Sequence, residues 1–307
     1  MHVKPALLFA AFLAAASCGK NNSTPPTKPN PPAIGTELVF TSNRGTDGLE
    51  DLYISNADGT GFHRLTSDTL YDGESRWSPD GTKIAFVHHN GDSLNVFVMN
   101  ADGTNRTRLT NRYEVRGPCW SPDGSQIAYQ SGHSYGQGNP NQLWVMNADG
   151  TAPHVVIDYD SLNGANQISW TPRNTFLGVD GFNLLEFDAD GKNRRQIMPL
   201  RLYSFEVYPR MSPDGTKIAF GWTGPYGPGG YPPNIYVVNA DGTNLKQLTD
   251  ELNRAIYPAW SPDGSKIAYT KGSGTIWIMN ADGSDQHEVP LPNYFWAWPF
   301  DLMGDWK

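Results

Sequence analysis

The residue pattern in this chain that most suggests chemistry is Asn-x-Asp-Gly, as in "FVMNADGTNRTRLT" at residues 97–110. Oxygen-bearing side chains at alternate positions before a glycine open a calcium loop. That loop also needs an oxygen ligand at its fifth place and a closing Glu at its twelfth. Counted from Asn100, those places hold Thr104 and Asn111; counted from Asp188, they hold Lys192 and Pro199. The ligand set is incomplete. The same residues suffice for a tight hairpin turn, in which Asp accepts a backbone N–H and Gly takes a positive φ. Of the seven histidines, His63, His154 and His287 fall in expected outer strands, and only His88, His89 and His133, with Asp92, approach the loops that vary along the chain. Neighbouring residues of a strand point to opposite faces, so His88 and His89 do not converge on one ion. No metal, cofactor or catalytic residue is expected. Cys119, just before Trp120 in a strand-like stretch, reads as a small buried apolar residue.

The residues suited to binding lie elsewhere. Loops rich in Gly and Pro carry Tyr71, Tyr113, Tyr135, Tyr203, Phe205, Trp222, Tyr226, Tyr231, Tyr257, Phe295 and Trp296. Amphipathic rings in such settings suit a protein surface or the faces of sugars, and some of them will pack under the loops instead. Arg76, Arg116, Arg210 and Arg254 stand near the starts of expected inner strands, with Glu74, Glu114 and Glu206 close by. They could hold a carboxylate or peptide end, or pair with one another between neighbouring units.

The elements that place these residues are repeats. The hairpin motif recurs at Asn56, Asn100, Asn147, Asp188, Asn239 and Asn280, in steps of 44, 47, 41, 51 and 41 residues. A second motif alternates with it: "RWSPDGTKIAF" from Arg76, "CWSPDGSQIAY" from Cys119, "RMSPDGTKIAF" from Arg210, "AWSPDGSKIAY" from Ala259 and a degraded "SWTPRNTFLGV" from Ser169. Each unit reads strand, SPDG turn, strand, variable loop, strand, NADG turn, strand. β-Branched and aromatic residues fill the strands, and Gly and Pro fall at the punctuation. Four strands per unit at a period of roughly 40 to 50 residues describe an all-β, six-bladed β-propeller of antiparallel blades. The first unit, "GTELVFTSNR", lacks its leading strand, and the C-terminal segment "NYFWAWPFDLMGDWK" should supply it, with Trp298-Pro299 aligned on Trp-Ser-Pro. Both turn classes then fall on one end of the ring and the variable loops on the other.

With "WSPDGSKIAY" and "IYVVNADGTNLKQLT" in view, residues 36–307 resemble the TolB-type propeller, built of WD40-like (PD40) repeats. TolB itself carries an α/β domain before its propeller and binds the peptidoglycan-associated lipoprotein in the periplasm. The resemblance implies a scaffold of the cell envelope. Prolyl-oligopeptidase-type peptidases use the same repeats, but no G-x-S-x-G nucleophile elbow occurs here.

In place of the α/β domain the chain opens "MHVKPALLFAAFLAAASCGK", with Lys4, an apolar run from Ala6 to Ala16 and small residues before Cys18. The layout is that of a secretory signal over 1–17, and "AASC" resembles a bacterial lipobox in which Cys18 is lipidated. With Gly19 next, the resemblance implies outer-membrane sorting. Residues 18–35, rich in Pro, Asn, Ser and Thr, should form an extended tether. The net charge of −8 argues against a nucleic-acid partner. The sequence therefore points to a monomeric, non-enzymatic envelope lipoprotein, held at the membrane only by its lipid and binding a protein or peptide through the variable face. A glycan ligand is the alternative, and a metal-dependent polysaccharide lyase or hydrolase the third reading.

Overall fold

The repeats fold as six four-stranded antiparallel sheets. The computed structural model describes residues 36–43, 45, 49–67, 70–89, 91, 93–112, 114–132, 142–158, 168–200, 207–224, 232–250, 254–272, 274–292 and 301–307. Blade 1 contains β1 (Glu37–Ser42), β2 (Asp51–Asn56) and β3 (His63–Arg64). Blade 2 contains β4 (Asp72–Trp77), β5 (Lys83–His89), β6 (Leu94–Asn100) and β7 (Thr107–Arg108). Blade 3 contains β8 (Val115–Trp120), β9 (Gln126–Ser131), β10 (Gln142–Asn147) and β11 (His154–Asp158). Blade 4 contains β12 (Ser169–Trp170), β13 (Thr175–Val179), β14 (Asn183–Asp188) and β15 (Arg195–Pro199). Blade 5 contains β16 (Arg210–Met211), β17 (Lys217–Trp222), β18 (Asn234–Asn239) and β19 (Lys246–Gln247). Blade 6 contains β20 (Ala255–Trp260), β21 (Lys266–Lys271), β22 (Thr275–Asn280) and β23 (His287–Glu288).

The last strand, β24 (Asp301–Trp306), joins blade 1 in the order β24-β1-β2-β3. The expected ring closure by the C-terminal segment is therefore present, but its tryptophan is a different one. Trp306 pairs with Leu38 as Trp77 pairs with Ile84 and Trp120 with Ile127, so Trp306 fills the Trp-Ser-Pro position. Trp298-Pro299, aligned there from sequence, lies outside the described residues. Main-chain bonds between Glu37 and Lys307, at 3.0 and 2.9 Å, extend the ladder past Trp306.

Each turn is built as its composition requires. In every SPDG and NADG copy the Asp accepts the N–H two residues on, at 2.9–3.1 Å, as in Thr60, Thr104, Ser125 and Lys192. The following glycine has positive φ, 81° at Gly103 and 71° at Gly124. The turn reading of Asn-x-Asp-Gly is correct. The Leu-Thr pair ending several repeats serves the same frame: buried Thr66, Thr110 and Thr249 accept the N–H of Leu52, Val96 and Ile235 at 2.9–3.0 Å.

The core is six clusters, one between each pair of adjacent blades; Val39, Ile54, Trp77, Phe86 and Met99 fill the space between blades 1 and 2. A sheet covered on both faces has no solvent side, and segments such as "KIAF" are accordingly apolar without alternation. Cys119 is buried in the cluster between blades 3 and 4, the packing role expected of it. Four of the six outermost strands, β3, β7, β19 and β23, are two residues long, which leaves little edge on those blades for another chain to pair with, while β11 and β15 have five residues each.

Candidate functional site

The inner strands meet around the axis: β24 lies against β4, β4 against β8, β8 against β12, β16 against β20, and β20 against β24. Four residues before the turn serine, the inner strand is distorted in the same way in four blades. Glu74, Gly117, Tyr208 and Tyr257 occupy this position with φ of 54°, 58°, 42° and 55°. In β4, β8 and β20 the register slips here, between Gly73 and Arg76, Arg116 and Cys119, and Ile256 and Ala259. A bulge of this kind turns one side chain out of the pleat and re-aims it. Left-handed backbone costs an L-residue about 1–2 kcal/mol, so three non-glycine residues held there mark a place where packing overrides local preference.

The re-aimed side chains come together on the variable-loop end. Glu74 Oε2 accepts the Gly117 N–H at 2.5 Å, and its other oxygen lies 3.3 Å from Arg116 Nη1. Arg116 also reaches Glu114 of its own blade at 3.4 Å. Burial opposes the Arg116 charge, but Glu74 and Glu114 outweigh it and raise its pKa further. Between blades 5 and 6, the rings of Tyr208 and Tyr257 meet at 4.1 Å between centroids with their planes tilted by 41°, and the Tyr257 hydroxyl lies 3.1 Å from that of Tyr208. Tyr71 links the two groups. Burial pushes its phenol well above the usual tyrosine value, with Glu74, Glu50 and Tyr257 adding to the rise and Arg116 opposing it. Its ring lies over Gly73, where an added Cβ would stand 2.1 Å from the Tyr71 oxygen, so any larger residue there would displace the ring.

The sequence-derived candidates divide accordingly. Arg116 and Tyr257 belong to this cluster. Arg76 serves the join between blades 1 and 2: it opposes the burial-raised pKa of Asp305, whose carboxylate accepts the Trp77 N–H at 3.1 Å. Arg210 donates to the Pro209 carbonyl, and the Arg254 carbonyl accepts from Gly272 at 2.8 Å. Trp222 must be corrected. It is 4% exposed, its indole N–H donates to the Leu200 carbonyl at 2.8 Å, and its ring meets Tyr236 edge-on, so it is taken up by packing. Tyr135, Tyr203, Phe205, Tyr226, Tyr231, Trp296 and Cys18 lie outside the described residues, as do Tyr113, His133, Asp92, Glu206 and Phe295. His88 Nδ1 contacts the buried Asp72 carboxylate at 2.9 Å, with Arg106 on the same oxygen at 2.7 Å. Among the described residues no group of three or more His, Cys, Asp or Glu is placed to hold a metal ion. Tyr208 and Glu74 were not singled out as ligand residues from sequence, although Tyr208-Pro209 and Tyr257-Pro258 are a repeated pair at the distorted position.

Residues 71–179 match the family model described as TolB beta propeller domain. The chain is 33% identical over 166 residues to the Tol-Pal system protein TolB of Bordetella pertussis, covering 52% of this chain and 35% of that protein. A 56-residue stretch is 41% identical to an uncharacterized peptidase, YuxL, of Bacillus subtilis, covering 18% of this chain and 8% of that protein. In structure, TolB from Acinetobacter baumannii superposes with a TM-score of 0.69 at 19% identity, covering 89% of this chain and 66% of that one. The chain thus spans about a third of the TolB sequence it matches.

Proposed function

We propose that this chain is a TolB-like propeller scaffold of the cell envelope, without enzymatic activity, that takes up a protein or peptide at the mouth formed by Tyr71, Glu74, Arg116, Tyr208 and Tyr257. The observation that carries the reading is the shared distortion. Positions of one register in separate blades leave strand geometry and meet at one end of the axis with aromatic rings, hydroxyls and a charged group. Rigid rings with polar tips, beside a half-exposed Arg, are what protein interfaces favour at their anchoring points. Likeness to a Tol-Pal system protein supports an envelope setting. The sequence likeness to the peptidase YuxL covers only 8% of that protein. In this reading residues 1–17 direct export, Cys18 bears the lipid and 18–35 tether the propeller.

A photo-reactive residue at Arg116, with Thr104 on the turn end as control, tests the proposal in cells. A discrete protein adduct from position 116 alone is the expected result; no adduct, or the same adducts from both, would refute it. Cys18→Ser should release the protein from the membrane fraction. The adjacent rings of Tyr208 and Tyr257 also favour a second reading, a glycan laid against an aromatic face. In that case soluble glycans would raise the melting temperature and position 116 would yield no protein adduct.

A further inference from the structure

The opposite end of the ring carries a cleft that the repeat pattern alone does not call for. It measures about 1070 Å³, lies between the turns of blades 4 and 5, and is lined by Arg173, Glu186, Asp188, Arg195, Lys217 and Asp241. The repeat breaks here and nowhere else so densely. "SPDG" becomes "TPRN", so Arg173 stands where Asp80, Asp123, Asp214 and Asp263 stand in other blades. The hairpin is one residue shorter, closing from Thr171 to Thr175 where its counterpart closes from Ser78 to Lys83. Glu186 replaces the apolar residue seen as Ile54, Val98, Val145, Val237 and Ile278, and Asp188 replaces the Asn of the other copies.

These departures are organised around one another. Glu186, 6% exposed, accepts from Thr175 Oγ1 at 2.7 Å and from Arg195 Nη2 at 2.5 Å. Arg195 Nη2 also donates to the Ala240 carbonyl of blade 5 at 2.9 Å, and Arg173 Nη2 to the Gly215 carbonyl at 2.8 Å. Asp188 accepts from Asn193 at 2.6 Å, and Asp241 accepts from Thr243 within its own turn. All three acids are therefore engaged by the chain itself. The cations are less so: Arg195 and Arg173 remain 45% and 42% exposed, Arg173 Nη1 standing 3.9 Å from Glu186, and the exposed Lys217 ammonium makes no hydrogen bond among the described residues, with Asp214 its nearby opposite charge.

We propose that this cleft binds a carboxylate, either a free organic acid or the C-terminus of a peptide. The remaining capacity is for hydrogen-bond acceptors, and the planar edge of Arg matches a carboxylate with two parallel donors. Charge count selects among anions. Three cationic and three acidic side chains cancel, so a monoanion is accommodated while a dianion such as phosphate meets Asp188, Asp241 and Glu186 with excess charge.

The test is calorimetric titration of the whole chain with acetyl-Ala-Ala, its C-terminal amide, propionate and inorganic phosphate. Expected is binding of the peptide acid, at least about tenfold weaker binding of the amide, and a loss of about tenfold in Lys217→Gln. Lys83→Gln, the same register in blade 2, should bind as the parent does. Propionate binding equal to or tighter than the peptide acid assigns the free acid as the source, and weaker binding assigns the chain terminus. The double variant Glu186→Gln/Arg195→Gln, which leaves no buried charge unpaired, should fold and lose binding. Equal binding of acid and amide, preference for phosphate, equal effects of the Lys217 and Lys83 variants, or no binding of any probe at about 10 mM would each overturn the proposal.

Discussion

Glu74 offers a direct test of the strained mouth, because replacing it by Ala and by Gly removes the same side-chain contacts. Both variants lose the bond to the Gly117 N–H and the pairing with Arg116. The difference between them isolates the backbone, held at φ 54°. Within an ordinary strand Gly is less stable than Ala by about 0.5–1 kcal/mol, through the freedom it loses on folding. At a left-handed position the Cβ costs about 1–2 kcal/mol, which reverses the order. Glu74→Gly should therefore be more stable than Glu74→Ala by about 1 kcal/mol, or roughly 2–4 °C in melting temperature for a domain of this size. At Lys83, in regular β5, the Gly variant should be the weaker of the two. Denaturant titration of the four variants decides the matter. If Glu74→Ala equals or exceeds Glu74→Gly, the mouth residues are not held against their backbone preference, and the argument that packing re-aims them fails.

Other outcomes follow from the same contacts. Lys307 Nζ lies 3.0 Å from Glu37 and 4.1 Å from the Trp77 ring, so Lys307→Ala should cost about 1–2 kcal/mol in denaturant titration. Removing residues 301–307 strips β1 of its partner on the side away from β2 and should give protein that aggregates during size-exclusion chromatography. Ten turn aspartates, Asp58, Asp80, Asp102, Asp123, Asp149, Asp190, Asp214, Asp241, Asp263 and Asp282, have pKa values held below 3.8 by their turn hydrogen bonds, Asp123 near about 2. Their stabilisation is complete above that value and is lost as pH falls through the native values. Burial acts in the opposite sense on Asp51, raised to about 6, which favours the fold as pH drops from about 6 to 4. Denaturation midpoints should thus rise as pH falls from about 6 to 4 and drop below that. Burial also raises the Cys119 thiol to about 11, so in the native protein it should resist a maleimide at pH 8 and react once unfolded.

The architecture was legible because every blade solves the same local problem with the same residues. Asp and Gly in "NADG" specify a turn irrespective of the rest of the chain, and the unbroken apolar strands record burial between two neighbours. The closing strand was placed correctly, but its tryptophan was not: Trp298 stands before a proline as the other tryptophans stand before Ser-Pro, and only the pairing with Leu38 identifies Trp306. The mouth was partly legible. Arg116 and Tyr257 of this cluster were named from residue type, whereas the positive φ at Glu74 and Tyr208 arises from the meeting of inner strands and has no signature in a four-residue window. Trp222 misled for the reverse reason: its loop is rich in Gly and Pro, yet the ring itself falls on the last residue of β17 and turns inward to Leu200.

The cleft between blades 4 and 5 shows what a degraded repeat can mean. A lost Asp in a turn could be simple decay, tolerated because neighbouring blades hold the ring. Decay, however, does not bury a carboxylate in an apolar position, an event that costs several kcal/mol unless a partner is supplied. Glu186 is supplied with two, Thr175 and Arg195, and Arg195 and Arg173 each tie the site to a blade 5 turn. Arg195→Ala alone should therefore destabilise the propeller by an amount short of the ~3–5 kcal/mol of a fully buried pair, because Arg195 is half exposed. Glu186→Leu/Arg195→Leu, restoring the apolar pattern of the other blades, should recover most of that loss in the same titration. Recovery would show that the pair is not required for folding, and the compensated charge at this one blade would then be explained by what the cleft holds. A double variant no more stable than Arg195→Ala would show instead that the pair holds blades 4 and 5 together, and that the broken repeat serves the ring alone.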